Sequence, residues 1–413
     1  MFRKVLFGLI VALMLVSCAK ATTPPTSTST TRPPTPSIIP STATSVPPTA
    51  VPPTATAAPS ATPTAAMPTA TLPPLDIGPQ GFAAGVNPLT GLSVANPILL
   101  ERRPVAVKVN IVPRSLTRPA WGLSFADIVY DYYHNDGYSR LHAIFYGNDA
   151  ELVGPIRSGR LLDSDLIRMY QSIFAYGSAD ATINNRLLNA EYSDRLILEG
   201  NISLCPPTAS NPLCRYDPAG SDHLLGSTAA LSQYISAQGV NNSRPNLDGM
   251  TFNVTPPQGG SSAAQVFVRY SSDNYARWDY DASSGLYLRF QDNAYDQGQG
   301  ETYAPLLDRL NNQQITAANV VVIYVPHVYF MPPPNEIVEI LLSGSGKAYA
   351  FRDGQAYEVT WNRTVVNSVL FLTFPDGSRY PFKPGNTWIE VVSDPSTLSK
   401  PGEDIWRFVF AIP

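Results

Sequence analysis

The chain has 413 residues, a formal net charge of −4 and 40 prolines. Its 28 basic residues do not offset its 32 acidic ones, which argues against nucleic acid as a partner. The hydrophobic share of 44% supports a buried core, but 16 of the 40 prolines fall within the first 80 residues, so the core is built from the rest.

Arg3 and Lys4 precede an apolar run at residues 5–16, the layout of a secretory signal; that run is too short to span a bilayer. It ends in Leu15-Val16-Ser17-Cys18, which resembles a bacterial lipobox. Residues 1–18 are therefore expected to be a lipoprotein signal peptide. Cys18 would be diacylated and the mature protein held to the membrane by its N-terminal lipid, on the outer, extracytoplasmic face. Residues 19–80 are dominated by Pro, Thr, Ser and Ala, a composition that cannot form a core and predicts a disordered linker. At about 3.1 Å per residue in polyproline II, its roughly 55 residues up to about Leu75 reach at most roughly 170 Å.

An α+β architecture is expected beyond it: a mixed α/β domain over residues 85–246, then a β-rich domain over 250–413. In the first, 105–110, 128–133, 141–146 and 172–176 read as strands. Leucines and other apolar residues at helical spacing mark a helix at 161–171, and 181–189 and 227–238 follow the same pattern. Cys205 and Cys214 bracket a loop; an even pair in an exported chain predicts a disulfide. In the second, strands are expected at 264–270, 276–281, 286–290, 319–325, 338–342, 347–351, 356–361, 369–374, 378–382, 388–392 and 406–412. Asp353-Gly354 reads as a hairpin turn.

The stretch Gly154-Pro155-Ile156-Arg157-Ser158-Gly159-Arg160 joins a strand to the helix at 161. Ser158 is a candidate N-cap. Two arginines at a helix start oppose the dipole and its free N–H groups. They require an anion: an internal carboxylate such as Asp127, Asp131, Asp163 or Asp165, or an external one held by the arginines and the helix end.

Several segments carry a family resemblance: NPLTGL at 87–92, RRPVAVKVN at 102–110, GLSFADIVYD at 122–131, SRLHAIFY at 139–146 and VGPIRSGR at 153–160. His327, SGSGKAYAF at 343–351 and FKPGNTWIEVV at 382–392 continue it in order. The chain resembles the YerB-like bacterial lipoproteins, a family with a two-part domain of unknown function. The resemblance implies an exported, lipid-anchored protein with an N-terminal and a C-terminal half, and no established chemistry.

Other motifs carry little. Gly344-Ser345-Gly346-Lys347 lacks the first glycine and the Ser/Thr of a P-loop and reads as a turn. Neither a Gly-x-Ser-x-Gly elbow nor a His-Glu-x-x-His pair occurs, and no cofactor or metal is implied. The ligand-binding candidates are Asp131, Arg140, Arg157, Arg160 and His223, polar residues at strand ends, at a helix start or beside a loop. The expected partner is an anionic cell-wall polymer, whose muramyl or peptide carboxylates or teichoic phosphates suit arginine, or an envelope protein. The competing expectation is a hydrolase or transferase on cell-wall glycan or peptide, using Asp131 or Asp163 with His223.

Overall fold

The computed structural model of the chain describes residues 76–200 and 203–412. The expected signal peptide, Cys18 and the linker up to residue 75 lie outside the described residues. The remainder is mostly strand with few helices.

Ten strands form the path of one large sheet. From edge to edge they are Phe371–Thr373, Gln355–Arg363, Gly344–Arg352, Asn319–Val325, Thr387–Ser393, Ile128–Asn135, Tyr138–Phe145, Val105–Val109, Ile173–Tyr176 and Leu196–Leu198. An eleventh, Ser261–Ser262, pairs beside Gln355–Arg363. The join lies in the middle. Ile128–Asn135 runs parallel to Thr387–Ser393, with Ile128 opposite Thr387 and Tyr132 opposite Val391. The boundary expected at residues 246–250 is thus not a boundary between separate bodies. Ile128–Asn135 is buried on both faces, and left at an edge it would expose a row of unpaired N–H and C=O groups. A strand from the other half fills that edge.

A second sheet runs Tyr303–Pro305, Leu286–Asp292, Tyr275–Asp281, Gln265–Arg269, Ile405–Val409, Thr397–Gly402, with Thr316–Ala317 paired to Leu286–Asp292. It packs on one face of the large sheet: the Trp278 and Trp388 rings meet edge to face at 5.2 Å, and the Tyr270 hydroxyl donates to the Asp131 carbonyl at 2.8 Å. The helix Leu161–Tyr170 lies against the other face, where the Tyr130 and Tyr170 hydroxyls meet at 2.8 Å. Strand alternation sorts the side chains between these two layers.

Some details depart from expectation. The ordered body begins before residue 85, because Ile77 already exchanges both backbone hydrogen bonds with Phe252 at 2.8 Å. Residues 378–382 form no strand; only isolated bridges through Arg379 and Phe382 are made. The strand His327–Met331, which pairs as a hairpin with Ile337–Ile340 where a strand was expected at 338–342, and the strand Thr397–Gly402 are additional. Gly344-Ser345-Gly346-Lys347 is not a turn but the start of a strand. Gly346 lies under the Trp361 indole, where a Cβ would fall 2.5 Å from Nε1, so only glycine fits. Cys205 and Cys214 are disulfide-bonded.

Candidate functional site

The helix Leu161–Tyr170 starts two residues later than Ser158 would place it. Its N-cap is Arg160, whose backbone N–H donates to Asp163 Oδ2 at 2.6 Å. Asp163 thus satisfies the helix start from inside, as the acidic member of a capping box does. Its other oxygen gathers three side chains from the sheet beneath. Oδ1 accepts from the Tyr132 hydroxyl at 2.5 Å, from Lys108 Nζ at 3.2 Å, and lies 2.8 Å from His142 Nδ1. Lys108 and Tyr132 are also in direct contact. Lys108, His142 and Asp163 are each fully buried.

Burial opposes the charge on Asp163, but Lys108 and the hydrogen bonds from His142 and Tyr132 outweigh it and hold the carboxyl well below its usual range. Burial pushes Lys108 down to about 7 against the pull of Asp163. His142 is likewise depressed, first by burial. The cluster is an internal anchor for the helix, with its acid fully buried.

Above it stand the arginines. Tyr132 is paired across the strands with Arg140, and Tyr130 with His142, so these four point to the helix side of the sheet. Arg140 donates to the Ser158 carbonyl at 3.2 Å, and its Nε is buried with no partner. Arg160 donates to the Gly159 carbonyl at 2.9 Å and reaches His134 Nδ1 at 3.4 Å. Among the described residues neither arginine has a carboxylate within ion-pair distance. Burial, then the charges of Arg160 and Arg157, lower the Arg140 pKa; burial also lowers that of Arg160. His134 is held well below its usual value by burial and by both arginines, which keeps its ring neutral.

Arg160 and Ser158 open onto a cleft of about 380 Å³, whose walls include Asn135, Asp180, Ile183 and the segment from Pro334 to Ile337. Its two acids are engaged elsewhere. Glu336 accepts from the Tyr133 hydroxyl at 2.8 Å and the Asp136 N–H at 2.9 Å, and Asp180 caps the helix Ala181–Leu188 through the Thr182 N–H at 2.8 Å.

The other expected members are placed differently. Arg157 turns to Asp222, 2.9 Å away and 3% exposed in its side chain, so its charge is met internally. Asp131 is one position out of phase with Tyr130 and Tyr132 and faces the second sheet. There it pairs with Arg289 at 2.8 Å, and Arg289 also pairs with Glu390. The three side chains are buried between the sheets, so Asp131 is structural and not part of the site. His223 meets Asp217 at 3.3 Å and packs at a tilt against the Tyr216 ring at 4.4 Å; it does not line the cleft at Arg160. The pairing of Asp131 or Asp163 with His223 expected of a hydrolase is absent among the described residues, since Asp163 meets His142 and Asp131 meets Arg289. The members that sequence reasoning missed are Lys108, Tyr132, His134 and His142. Lys108 carried a signal, being the one charge inside the strand VAVKV.

The two-part layout agrees with comparison to known proteins. Residues 89–207 match the model of the N-terminal domain, and residues 266–389 that of the C-terminal domain, of a protein family of unknown function, DUF3048. A relative from Bacillus subtilis (strain 168), YerB, whose name describes it as a lipoprotein, is 27% identical over 312 residues. That match covers 74% of this chain and 86% of the relative. The crystal structure of Bacillus subtilis YerB superposes with a TM-score of 0.59 at 25% identity, covering 74% of this chain and 96% of that one. No helix among the described residues is long and apolar enough to cross a membrane. With both domain models matched in order and a solved relative of the same fold, the chain belongs to the YerB-like family built on the two-part DUF3048 domain.

Proposed function

We propose that this protein is held by a lipid on Cys18 at the outer face of the membrane and binds an anionic ligand of the cell envelope in the cleft at Arg160. One observation carries the reading. Arg160 at the helix start and Arg140, which reaches the Ser158 carbonyl from the strand Tyr138–Phe145, are partly buried with no carboxylate partner among the described residues, and Arg160 lines an open cleft. Two guanidinium groups so placed repel each other and the helix dipole. An incoming carboxylate or phosphate relieves that repulsion and gains charge-assisted hydrogen bonds from Arg160 and the Ser158 hydroxyl. On this reading the N-terminal half, with helices on its part of the sheet, is the mixed α/β, ligand-carrying part. The β-rich half supplies the outer wall from Pro334 to Ile337. Fully buried Asp131 and Asp163, each engaged internally, favour binding over acid catalysis.

The test is calorimetric titration of wall fragments that carry muramyl carboxylates or teichoic phosphates. Arg160→Ala and Arg140→Ala should each weaken binding at least tenfold, and binding should fall with salt. Binding that neither substitution changes would remove the cleft from consideration.

A further inference from the structure

We propose that the anion held at Arg140 and Arg160 is the head of an amphiphile: a phosphate monoester on an apolar chain that lies along the exposed hairpin beside the cleft. This deepens, and rests on, the reading of the cleft as an anion site. The head follows from charge. Two arginines without carboxylate partners match a phosphate monoester, which carries about −1.5 to −2 at neutral pH, better than a single carboxylate. Phosphate oxygens also suit the guanidinium fork.

The chain follows from the hairpin His327–Met331 with Ile337–Ile340. Val328, Phe330 and Met331 are 42%, 46% and 36% exposed. Val328 and Phe330 are exposed on either side of the half-buried Tyr329, with the strand bulged between Tyr329 and Met331. From Met331 the chain runs through prolines directly into the cleft wall, which begins at Pro334. The helix Ala181–Leu188 links the two regions from the other side. Its Ile183 lines the cleft, and Arg186, one turn along the same face, lies over the Phe330 ring at 5.7 Å and pairs with Glu339. An exposed apolar surface continuous with a cleft that Arg160 and the helix start open onto fits one ligand with both an anionic and an apolar part.

The experiment uses the full chain carrying Cys18→Ala, titrated with methyl phosphate and with n-octyl phosphate below its micelle concentration. We expect octyl phosphate to bind about 100-fold more tightly than methyl phosphate, since each buried CH₂ adds to affinity. Phe330→Ser with Met331→Ser, both at exposed positions, should abolish most of that gain and leave methyl phosphate unchanged. Arg160→Ala should weaken both ligands. Equal affinity for the two phosphates overturns the amphiphile and leaves the anion site standing. An octyl preference that survives the hairpin substitutions also overturns it, because the apolar contact is then elsewhere. Failure of both phosphates to bind removes the anion site as well. Flotation with phosphatidylcholine vesicles doped with phosphatidic acid separates the two sources. Retention on the vesicles identifies a bilayer lipid, and octyl phosphate binding without retention identifies a free amphiphile.

Discussion

The three arginines of the helix-start region differ in what each would lose. Arg157 faces the nearly buried Asp222, so Arg157→Ala strands a carboxylate; because Arg157 is itself about a third exposed, the expected cost is about 1–2 kcal/mol rather than the full penalty of a buried pair. Arg160 has no acid to strand, and Arg160→Ala should leave stability within about 1 kcal/mol while removing anion binding. Urea melts of both variants, set beside ligand titrations, check the contrast. A histidine gives the pH counterpart. His327 is 2% exposed, lies 2.8 Å from the Val325 carbonyl through Nδ1, and is pushed by burial down to about 4. Its folded pKa lies below the unfolded value, so on acidification the unfolded chain takes the proton first. The stability is complete above about pH 6.5 and drains away as pH falls towards 4, by about 3 kcal/mol in all. His327→Asn keeps a donor without that titration. The difference in unfolding free energy between wild type and variant should therefore shrink by about this amount from pH 7 to pH 4. At this scale Arg157 and Arg160 were legible as a helix-start pair because both are local to one motif, whereas Arg140 arrives from the strand Tyr138–Phe145. The sequence could not sort Asp131 from Tyr132, since that depends on which face of the strand meets which layer.

Elements are held together here by polar contacts that the apolar patterns do not announce. The large and second sheets are bridged by Asp131, Arg289 and Glu390, all within 1% of full burial. Removing the middle member leaves two carboxylates in an apolar layer, so Arg289→Ala should cost about 3–5 kcal/mol, whereas Arg289→Met with Glu390→Gln and Asp131→Asn should recover much of it. Denaturant midpoints of the single and triple variants test this, and a nearly silent single variant would contradict the bridge. The Cys205–Cys214 link, nine residues apart, closes a short loop and should contribute about 2–3 kcal/mol in the chain-entropy view. Thiol titration of the denatured, unreduced protein should find neither sulfur free. Most strands and all three longer helices were legible from period and turn residues. Those that were not have particular causes. The strand Thr397–Gly402 contains Ser399, Lys400 and Pro401, and its exposed, polar character hides it. The hairpin strand His327–Met331 is followed by three prolines and reads as loop.

At the scale of the molecule, the two family halves are adjacent in sequence but share a sheet, and that sharing decides whether either can stand alone. The strand Ile128–Asn135 takes one neighbour from its own half, Tyr138–Phe145, and the other from Thr387–Ser393. Thr387–Ser393 in turn lies between Ile128–Asn135 and Asn319–Val325, with all seven of its residues buried. Cutting the chain near residue 248 would expose both strands along an entire edge, together with the apolar side chains of Tyr130, Tyr132, Ile389 and Val391. Exposed edges of that kind pair with other chains. A fragment of residues 76–248 expressed alone should therefore fail to give a cooperative unfolding transition and should aggregate. Co-expressed with residues 249–413, it should be recovered as a soluble complex, because the missing partner strand is supplied in trans. Amide dispersion in NMR spectra of the fragment, alone and with its complement, checks the outcome. A well-dispersed, monomeric 76–248 fragment would mean that the shared sheet is a docking contact between two independent folds. If the fragments need each other, the cleft that joins Arg160 to Pro334 is a product of both halves, and ligand binding should appear only in the reassembled pair.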